Sequence, residues 1–309
     1  MLGAVSSNPI VCEFEGDHSL SKRTMSRITV HLEKLGANIK LTKKDFLPIR
    51  ILGSQNLIPQ KIVIQKPSAQ VKTSLIFAGL NIEGKLTIFE KKQTRDHTER
   101  LMDYLKIKYK REKLKNGSIK IELSGPYEIK PSNINVVGDP SSAAFFIVGA
   151  IIIPQSKVKI KSVMLNPTRI EFIKILKKMG AKIKIKRNKK LSGEDCGDIY
   201  AEYSKLKGIN INKNLAPFLI DEYPILSIAA SRAKGKTTMN GIEELRHKES
   251  DRVKSIVSNL KRVGVKVSST KDKIIIRGND EILKKKCFIK SYNDHRISCT
   301  FMILNLLHG

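Results

Sequence analysis

Charged and hydroxyl side chains gather at the predicted starts of helices, where they could bind small anions. Seven such clusters occur: GDHSLSKR, PSAQ, TRDHTER, GDPSSAAF, IDEYP, RHKESDR and NDHR. Unpaired N–H groups and the macrodipole make the N-terminus of a helix favourable for a phosphate or carboxylate. One cluster is an ordinary helix cap, but seven at corresponding positions of a repeat predict one shared anion-binding cleft.

The clusters hold side chains that could bind small anions and a carboxylate that could act as a base. Arginine suits phosphate and carboxylate because its guanidinium donates two parallel hydrogen bonds, and the clustered cations include Arg23, Lys248, Arg252 and Arg296. The interleaved carboxylates are Asp221, Glu249, Asp251 and Asp294. A carboxylate among cations stays ionised and can act as a base, whereas Asp251 and Asp294 could equally orient a neighbouring arginine. The sequence has no motif for nucleotide hydrolysis, a serine nucleophile or zinc.

An internal repeat carries these clusters. An apolar, buried helix is predicted to begin near Ser68, Ser141, Asp221 and Asp294, at intervals of 73, 80 and 73 residues. The strands KLTIFE, KVKIKSV and KTTMNG follow the first three of these helices. Between them run amphipathic helices that pass into strands, as in KESDRVKSIVSNLKRVGVKVS. The repeat predicts an α/β protein in which each unit contains a buried helix, a strand, an amphipathic helix and further strands.

The ends of the amphipathic helices are marked by glycine, asparagine and proline. Gly36, Gly180 and Gly264 follow three of these helices, as expected for C-terminal residues in the left-handed conformation. Asn166 and Pro167 are predicted to be the N-cap and first residue of the third helix. The chain begins inside one repeat and stops after a buried helix. We therefore expect the repeats to be incomplete at both ends.

Length and composition narrow the class of protein. The length of 309 residues predicts two globular domains, and a content of 40% hydrophobic residues is enough to form their cores. The net charge of +29 invites a nucleic-acid-binding reading, but the basic residues are dispersed and tryptophan is absent, so no specific nucleic acid is expected. No signal peptide or membrane span is indicated. Four scattered cysteines, Cys12, Cys196, Cys287 and Cys299, fit a reduced cytoplasmic protein.

In order, the segments GDHSLSKRTM, SAQVKTSLIFAGL, TRDHTERLM, GDPSSAAFF, NPTR, IDEYPIL, ELRHKESDR and NDHRIS resemble the motif series of the EPSP synthase family. The resemblance implies the two-domain enolpyruvyl transferase fold, an inside-out α/β barrel. Each domain is built from three βαβαββ units, with helices inside and sheets outside. It further implies a first domain over residues 1–136 on the shikimate 3-phosphate side, and a second over 137–309. The substrate cleft would lie between them.

The resemblance also assigns roles to individual residues. The implied contacts to shikimate 3-phosphate are Ser68, Ala69, Gln70, Thr94 and Lys248. The implied clamp on phosphoenolpyruvate consists of Arg23, Arg252 and Arg296, with Gln70 shared. Asp221 would accept the proton of the attacking hydroxyl, Glu249 would be the second acid–base group, and His295 would stand near the leaving phosphate.

The implied reaction transfers the enolpyruvyl group of phosphoenolpyruvate to the 5-hydroxyl of shikimate 3-phosphate, in the pathway to chorismate and the aromatic amino acids. It needs no metal or organic cofactor, and a monomer is expected. Two lysine-bearing family segments and an Asn-Ala-Gly-Thr loop have no counterpart in the sequence, so a catalytically inactive remnant is one alternative. The other is the sister enzyme acting on UDP-N-acetylglucosamine, whose reactive loop cysteine has no counterpart between Asp17 and Arg23.

Overall fold

The computed structural model describes residues 1–43, 45–279 and 288–308, and the chain divides into two compact units. Unit 1 is Met1–Asn133 and unit 2 is Ile134–Gly309. The domain boundary predicted after residue 136 lies close to this division and stays a prediction. Cys12, Cys196 and Cys299 are free thiols, while Cys287 lies outside the described residues.

Unit 1 alternates helices with short strands. Its helices are α1 (Leu2–Ser6), α2 (Ser26–Lys34), α3 (Ala69–Gly79) and α4 (His97–Tyr104). Its strands are β1 (Val11–Phe14), β2 (Asn38–Lys43), β3 (Phe46–Leu52), β4 (Lys61–Ile64), β5 (Gly84–Glu90), β6 (Tyr109–Lys113) and β7 (Ile119–Gly125). A 3₁₀ turn covers Leu20–Lys22.

Unit 2 continues the same alternation. Its helices are α5 (Pro140–Ile152), α6 (Glu171–Lys178), α7 (Ala216–Leu219), α8 (Tyr223–Ser231), α9 (Arg252–Arg262) and α10 (His295–Asn305). Its strands are β8 (Lys157–Met164), β9 (Lys182–Arg187), β10 (Cys196–Glu202), β11 (Asn210–Ile211), β12 (Gly235–Asn240), β13 (Lys266–Ser269) and β14 (Lys273–Gly278). Further 3₁₀ turns cover Lys213–Leu215, Glu243–His247 and Leu306–His308.

The sheets confirm the repeat predicted from the sequence. The strand orders β4-β5-β7-β6 and β11-β12-β14-β13 match, and in each the first pair is parallel and the others are antiparallel. Along the chain both sheets are therefore βαβαββ units. The orders β1-β3-β2 and β8-β10-β9 correspond to the last three strands of that unit. In the β8 sheet, a parallel bridge from Gly138 to Val163 stands where the first strand would be.

The apolar helices form the interior of unit 2. Helices α5, α8 and α10 pack against one another, and α5 and α8 also contact the sheets. Every residue of α8 is buried, which explains why its sequence shows no polar face. Strand β14 supplies alternating buried side chains, Ile274 and Ile276, to the same core. The described residues include no helix long and apolar enough to cross a bilayer.

The glycines predicted to follow the amphipathic helices have the left-handed conformation, but the predictions for the starts of α6 and α2 are wrong. Gly36, Gly180 and Gly264 have φ angles of 91°, 101° and 87°. Asn166 does not cap α6, because its Oδ1 accepts the N–H of Thr168 in a turn and the helix begins only at Glu171.

The GDHSLSKR cluster also does not lie at the first turn of α2. Arg23 ends the 3₁₀ turn Leu20–Lys22, and α2 begins three residues later at Ser26. The Ser26 N–H donates to Asp45 Oδ1 at 2.6 Å, so a distant carboxylate caps this helix.

Candidate active site

In unit 1, the first turn of α3 presents a partly open helix N-terminus. Ser68 is its N-cap, and the Ser68 hydroxyl accepts the N–H of Val71 at 3.4 Å. Ala69 follows as the first helical residue, and both side chains are half-buried. Unpaired N–H groups of this turn, with the helix dipole, suit a phosphate oxygen. The structure thus places Ser68 and Ala69 where an anion can approach.

Gln70 is exposed on the same turn and is held by an arginine that the sequence interpretation missed. Its Oε1 accepts a hydrogen bond from Arg27 Nη2 at 2.7 Å. That bond leaves the two N–H donors of the Gln70 amide directed away from Arg27. Arg27 lies in the first turn of α2, and its place as a second arginine in SKRTMSR was the available signal. Arg23 itself is half-buried.

Thr94 lies in the loop between β5 and α4 and is tied to a buried ionic cluster. Both its N–H, at 3.0 Å, and its hydroxyl donate to Glu90 Oε1. The other Glu90 oxygen is 3.3 Å from Lys72 Nζ, and Lys72 Nζ is 2.7 Å from Glu99 Oε1. The sequence interpretation assigned no role to Lys72, Glu90 or Glu99, although a lysine inside an apolar helix signals a buried partner.

In unit 2, the N-terminal ends of α8, α9 and α10 meet around Arg252. The Arg252 side chain is 1% exposed. Its Nε donates to Asp294 Oδ2 at 2.8 Å, and its Nη2 donates to Glu249 Oε2 at 2.5 Å. Its Nη1 is buried, has no hydrogen-bond partner among the described residues, and lies 3.8 Å from Asp221 Oδ1. One guanidinium therefore faces three carboxylates and keeps an unsatisfied donor.

Arg296 approaches Asp221 from another side. Arg296 Nε lies 3.9 Å from Asp221 Oδ1, and its Nη1 donates to the Asp221 carbonyl oxygen at 3.2 Å. Both side chains are 18% exposed, so this end of the cluster is reached by solvent while Arg252 is not. The arrangement brings the Asp221 carboxylate between two guanidinium groups.

Lys248, Glu249 and His295 complete the predicted set in unit 2. Burial lowers the pKa of Lys248, while the negative charges of nearby carboxylates, Asp221 first, oppose that change. Lys248 and Glu249 are half-buried next to Arg252, whereas His295 is exposed as the first residue of α10. The structure therefore gathers Asp221, Lys248, Glu249, Arg252 and Arg296 in one neighbourhood.

Asp294 and Asp251 take the role of orienting arginines, which the sequence left open. Asp294 is fully buried, binds Arg252, and caps α10 by accepting the N–H of Arg296 at 3.0 Å. Asp251 caps α9 and lies 3.4 Å from Arg246 Nη1. Neither carboxylate is placed to act as an independent base.

A second buried carboxyl group lies beside Asp221. Glu222 is 2% exposed and accepts a hydrogen bond from the Ser141 hydroxyl. Arg169 Nη2 donates to Ser141 Oγ at 2.9 Å and to Asp139 Oδ1 at 2.8 Å. Burial raises the pKa of Glu222 above its usual value, and the Ser141 hydrogen bond only partly opposes it. This network ties the GDPSSAAF and NPTR segments to the residue after Asp221.

Acid should remove the contribution of Asp294 to stability. Burial alone would raise the pKa of Asp294. The hydrogen bond and positive charge of Arg252 outweigh burial, together with hydrogen bonds from the Ser250 hydroxyl and the Arg296 N–H. The pKa of Asp294 is therefore lowered from its usual value of 3.8. A carboxylate with a lowered folded pKa stabilises the protein above its unfolded pKa, and this stabilisation disappears as pH falls through the folded pKa. Asp294→Asn should lower the free energy of unfolding at pH 7 by about 3 to 5 kcal/mol, because Arg252 stays buried.

Urea unfolding of wild type and Asp294→Asn at a series of pH values measures this effect. The difference between them should be constant near neutrality and shrink as the pH falls below 3.8. A difference that stays the same into strong acid would contradict the ionic role of Asp294.

No group of three or more His, Cys, Asp or Glu side chains within the described parts of the chain is arranged to hold a metal ion.

The EPSP synthase (3-phosphoshikimate 1-carboxyvinyltransferase) family model matches residues 1–309. A relative from Carboxydothermus hydrogenoformans, named 3-phosphoshikimate 1-carboxyvinyltransferase, is 41% identical over 305 residues, which is 98% of this chain and 69% of the relative. A relative of the same name from Caldicellulosiruptor bescii is 43% identical over 305 residues, which is 98% of this chain and 70% of the relative.

Solved structures show the same relationship. The EPSP synthase of Acinetobacter baumannii superposes with a TM-score of 0.87 at 39% identity, over 99% of this chain and 69% of that one. The enolpyruvyl transferase NikO from Streptomyces tendae shares the fold, with a TM-score of 0.68 at 14% identity. The match covers 99% of this chain and 68% of the NikO chain. The predicted enolpyruvyl transferase fold is therefore confirmed, and the chain belongs to the EPSP synthase family of transferases.

Proposed function

We propose that this protein transfers the enolpyruvyl group of phosphoenolpyruvate to the 5-hydroxyl of shikimate 3-phosphate, giving 5-enolpyruvylshikimate 3-phosphate and phosphate. The observation that carries the proposal is the cluster around Arg252. Arg252 Nη1 is an unsatisfied buried donor, and Asp221 stands between two guanidinium groups. Such a site can neutralise an incoming anion and accept a proton at the same place.

The roles follow from the chemistry of the reaction. Asp221 accepts the proton of the 5-hydroxyl as its oxygen attacks C2 of phosphoenolpyruvate, while C3 is protonated, with Glu249 as the second acid–base group. The tetrahedral intermediate then loses a proton from its new methyl group as the bond from C2 to the phosphate oxygen breaks, which restores the vinyl group and releases phosphate near His295. The cations neutralise the carboxylate and phosphate of phosphoenolpyruvate through Arg23, Arg252 and Arg296.

Within unit 1, the proposed contacts to shikimate 3-phosphate lie at the first turn of α3 and in the loop between β5 and α4. The first turn of α3 supplies its cap hydroxyl, its N–H groups and the Gln70 amide, whose free donors face away from Arg27. Thr94 adds a hydroxyl, and Lys248 is also proposed to contact this substrate. We further propose a cytoplasmic monomer with domains over 1–136 and 137–309.

Phosphate release tests the proposal. The protein should release inorganic phosphate only when shikimate 3-phosphate and phosphoenolpyruvate are both present, because neither substrate alone can form the tetrahedral intermediate. The new vinyl ether of the product should appear at the same rate in proton NMR spectra. Release with UDP-N-acetylglucosamine in place of shikimate 3-phosphate would instead identify the sister activity. Tight binding of shikimate 3-phosphate without any release would identify an inactive member of the family.

A further inference from the structure

Unit 1 contains a fully buried ionic cluster that the reaction does not use directly. Lys72, Glu90 and Glu99 have side chains only 1%, 1% and 4% exposed. Lys72 Nζ lies 3.3 Å from Glu90 Oε2 and 2.7 Å from Glu99 Oε1. Removing each of these charges from water costs several kcal/mol, and well-packed apolar side chains often stabilise a fold as well or better. Stability alone is therefore a weak reason for this cluster.

The cluster joins three segments that surround the α3 N-terminus. Lys72 lies on α3, Glu90 is the last residue of β5, and Glu99 lies on α4. A hydrogen bond of 2.6 Å between the hydroxyls of Thr73 and Thr98 ties α3 to α4 a second time. These contacts hold the two helices and the loop between β5 and α4 in one arrangement.

Each end of the cluster reaches a residue assigned to shikimate 3-phosphate. The Lys72 N–H donates to the carbonyl oxygen of Ser68 at 3.1 Å, which closes the first turn of α3. Glu90 accepts both the N–H and the hydroxyl of Thr94. Because Lys72 binds Glu90, the ammonium group fixes the position of Thr94 relative to the first turn of α3.

We infer that Lys72 is a positioning residue for the phosphate of shikimate 3-phosphate, acting through Glu90 on Thr94; this inference rests on the proposed function. Without the ammonium group, Glu90 and Glu99 face each other as buried carboxylates, and Glu90 no longer has a fixed rotamer. Thr94 then loses its anchor, and the loop no longer holds one distance from the α3 N-terminus. A loss of one hydrogen bond to a charged group weakens binding roughly tenfold or more.

Calorimetry with shikimate 3-phosphate on four proteins tests the inference: wild type, Lys72→Met, Thr94→Val and the double variant. Lys72→Met should raise Kd about tenfold or more in the wild-type background and leave it nearly unchanged in the Thr94→Val background. A purely structural lysine would weaken both backgrounds alike. Lys72→Arg should retain most of the affinity. Should Lys72→Met fail to fold, Glu90→Gln, which removes the charge that Lys72 binds, goes through the same cycle with the same expected result.

Lys85→Met is the matched control. Lys85 also pairs with a glutamate, Glu122, at 2.7 Å in the same unit, but its side chain is 60% exposed. Its replacement should leave Kd unchanged. Equal losses in both Thr94 backgrounds, or an unchanged Kd in Lys72→Met, would overturn the inference alone. A wild-type protein that does not bind shikimate 3-phosphate would overturn the proposed function and this inference with it.

Discussion

Asp221→Asn should lower kcat by roughly 10² to 10⁴, the range typical of a lost general base. The amide keeps the size of the side chain but cannot accept the proton of the attacking hydroxyl. KM for both substrates should change much less, because the guanidinium groups of Arg252 and Arg296 remain. The free energy of unfolding should change by at most about 1 kcal/mol, since Asp221 is partly exposed and its Oδ1 lies 3.8 Å from Arg252 Nη1 and 3.9 Å from Arg296 Nε. The hydrogen bond from Arg296 Nη1 goes to the backbone carbonyl, which the substitution keeps.

Steady-state phosphate release and urea unfolding, measured on the same preparation, separate the two effects. Asp272→Asn is a suitable control, because Asp272 is exposed and its carboxylate accepts a local hydrogen bond from the Thr270 hydroxyl at 2.7 Å, which an amide oxygen can also accept. It should retain wild-type kcat. An Asp221→Asn protein that turns over at the wild-type rate would refute the assignment of the base.

The repeat was predictable because its signals are local. Buried helices, amphipathic helices and C-terminal glycines each leave a pattern within about fifteen residues, and Gly264 with its φ of 87° is one example. Similar units at similar intervals then predict similar sheets. The structure shows this in the shared order of β4-β5-β7-β6 and β11-β12-β14-β13.

What could not be predicted depends on contacts between distant positions. Asp45 caps α2 from nineteen residues away, and no local rule pairs it with Ser26. Asn166 had the composition of a cap, but its side chain closes a turn instead. The choice between two roles for Asp294 also required the structure, because only its contact with Arg252, 42 residues earlier, decides it. Lys72 differs, since a charge inside an apolar helix was a visible signal.

The buried groups beside the proposed catalytic residues share one design. Lys72, Glu222 and Asp294 each have an exposed fraction of 2% or less. Lys72 is joined to Thr94 through Glu90, Glu222 follows Asp221 in the chain, and Asp294 binds Arg252. Buried polar groups have few alternative partners, so they keep the groups around them in one orientation. Thr94 and Asp221 are less buried, so they can meet the substrates while the buried groups keep the geometry.

Replacing Arg252 by lysine should lower kcat/KM about 10² to 10³-fold, comparable to the loss of one donor that stabilises developing charge. The guanidinium binds Asp294 and Glu249 through separate nitrogens and directs a third toward Asp221. A lysine ammonium is a point charge on a flexible chain and cannot hold these directions together. The free energy of unfolding should also fall, by up to about 3 kcal/mol, because the planar hydrogen bonds to buried Asp294 are lost.

Arg262→Lys in the same helix is the matched control, since Arg262 is exposed and its Nη1 donates to the carbonyl oxygen of Phe288 at 3.2 Å. It should keep both kcat/KM and stability. In Arg252→Lys, the KM for phosphoenolpyruvate should rise more than the KM for shikimate 3-phosphate, because Arg252 is assigned to phosphoenolpyruvate. Loss of stability with unchanged kinetics in the folded fraction would show instead that Arg252 only joins α9 to α10 through Asp294 and does not contact a substrate.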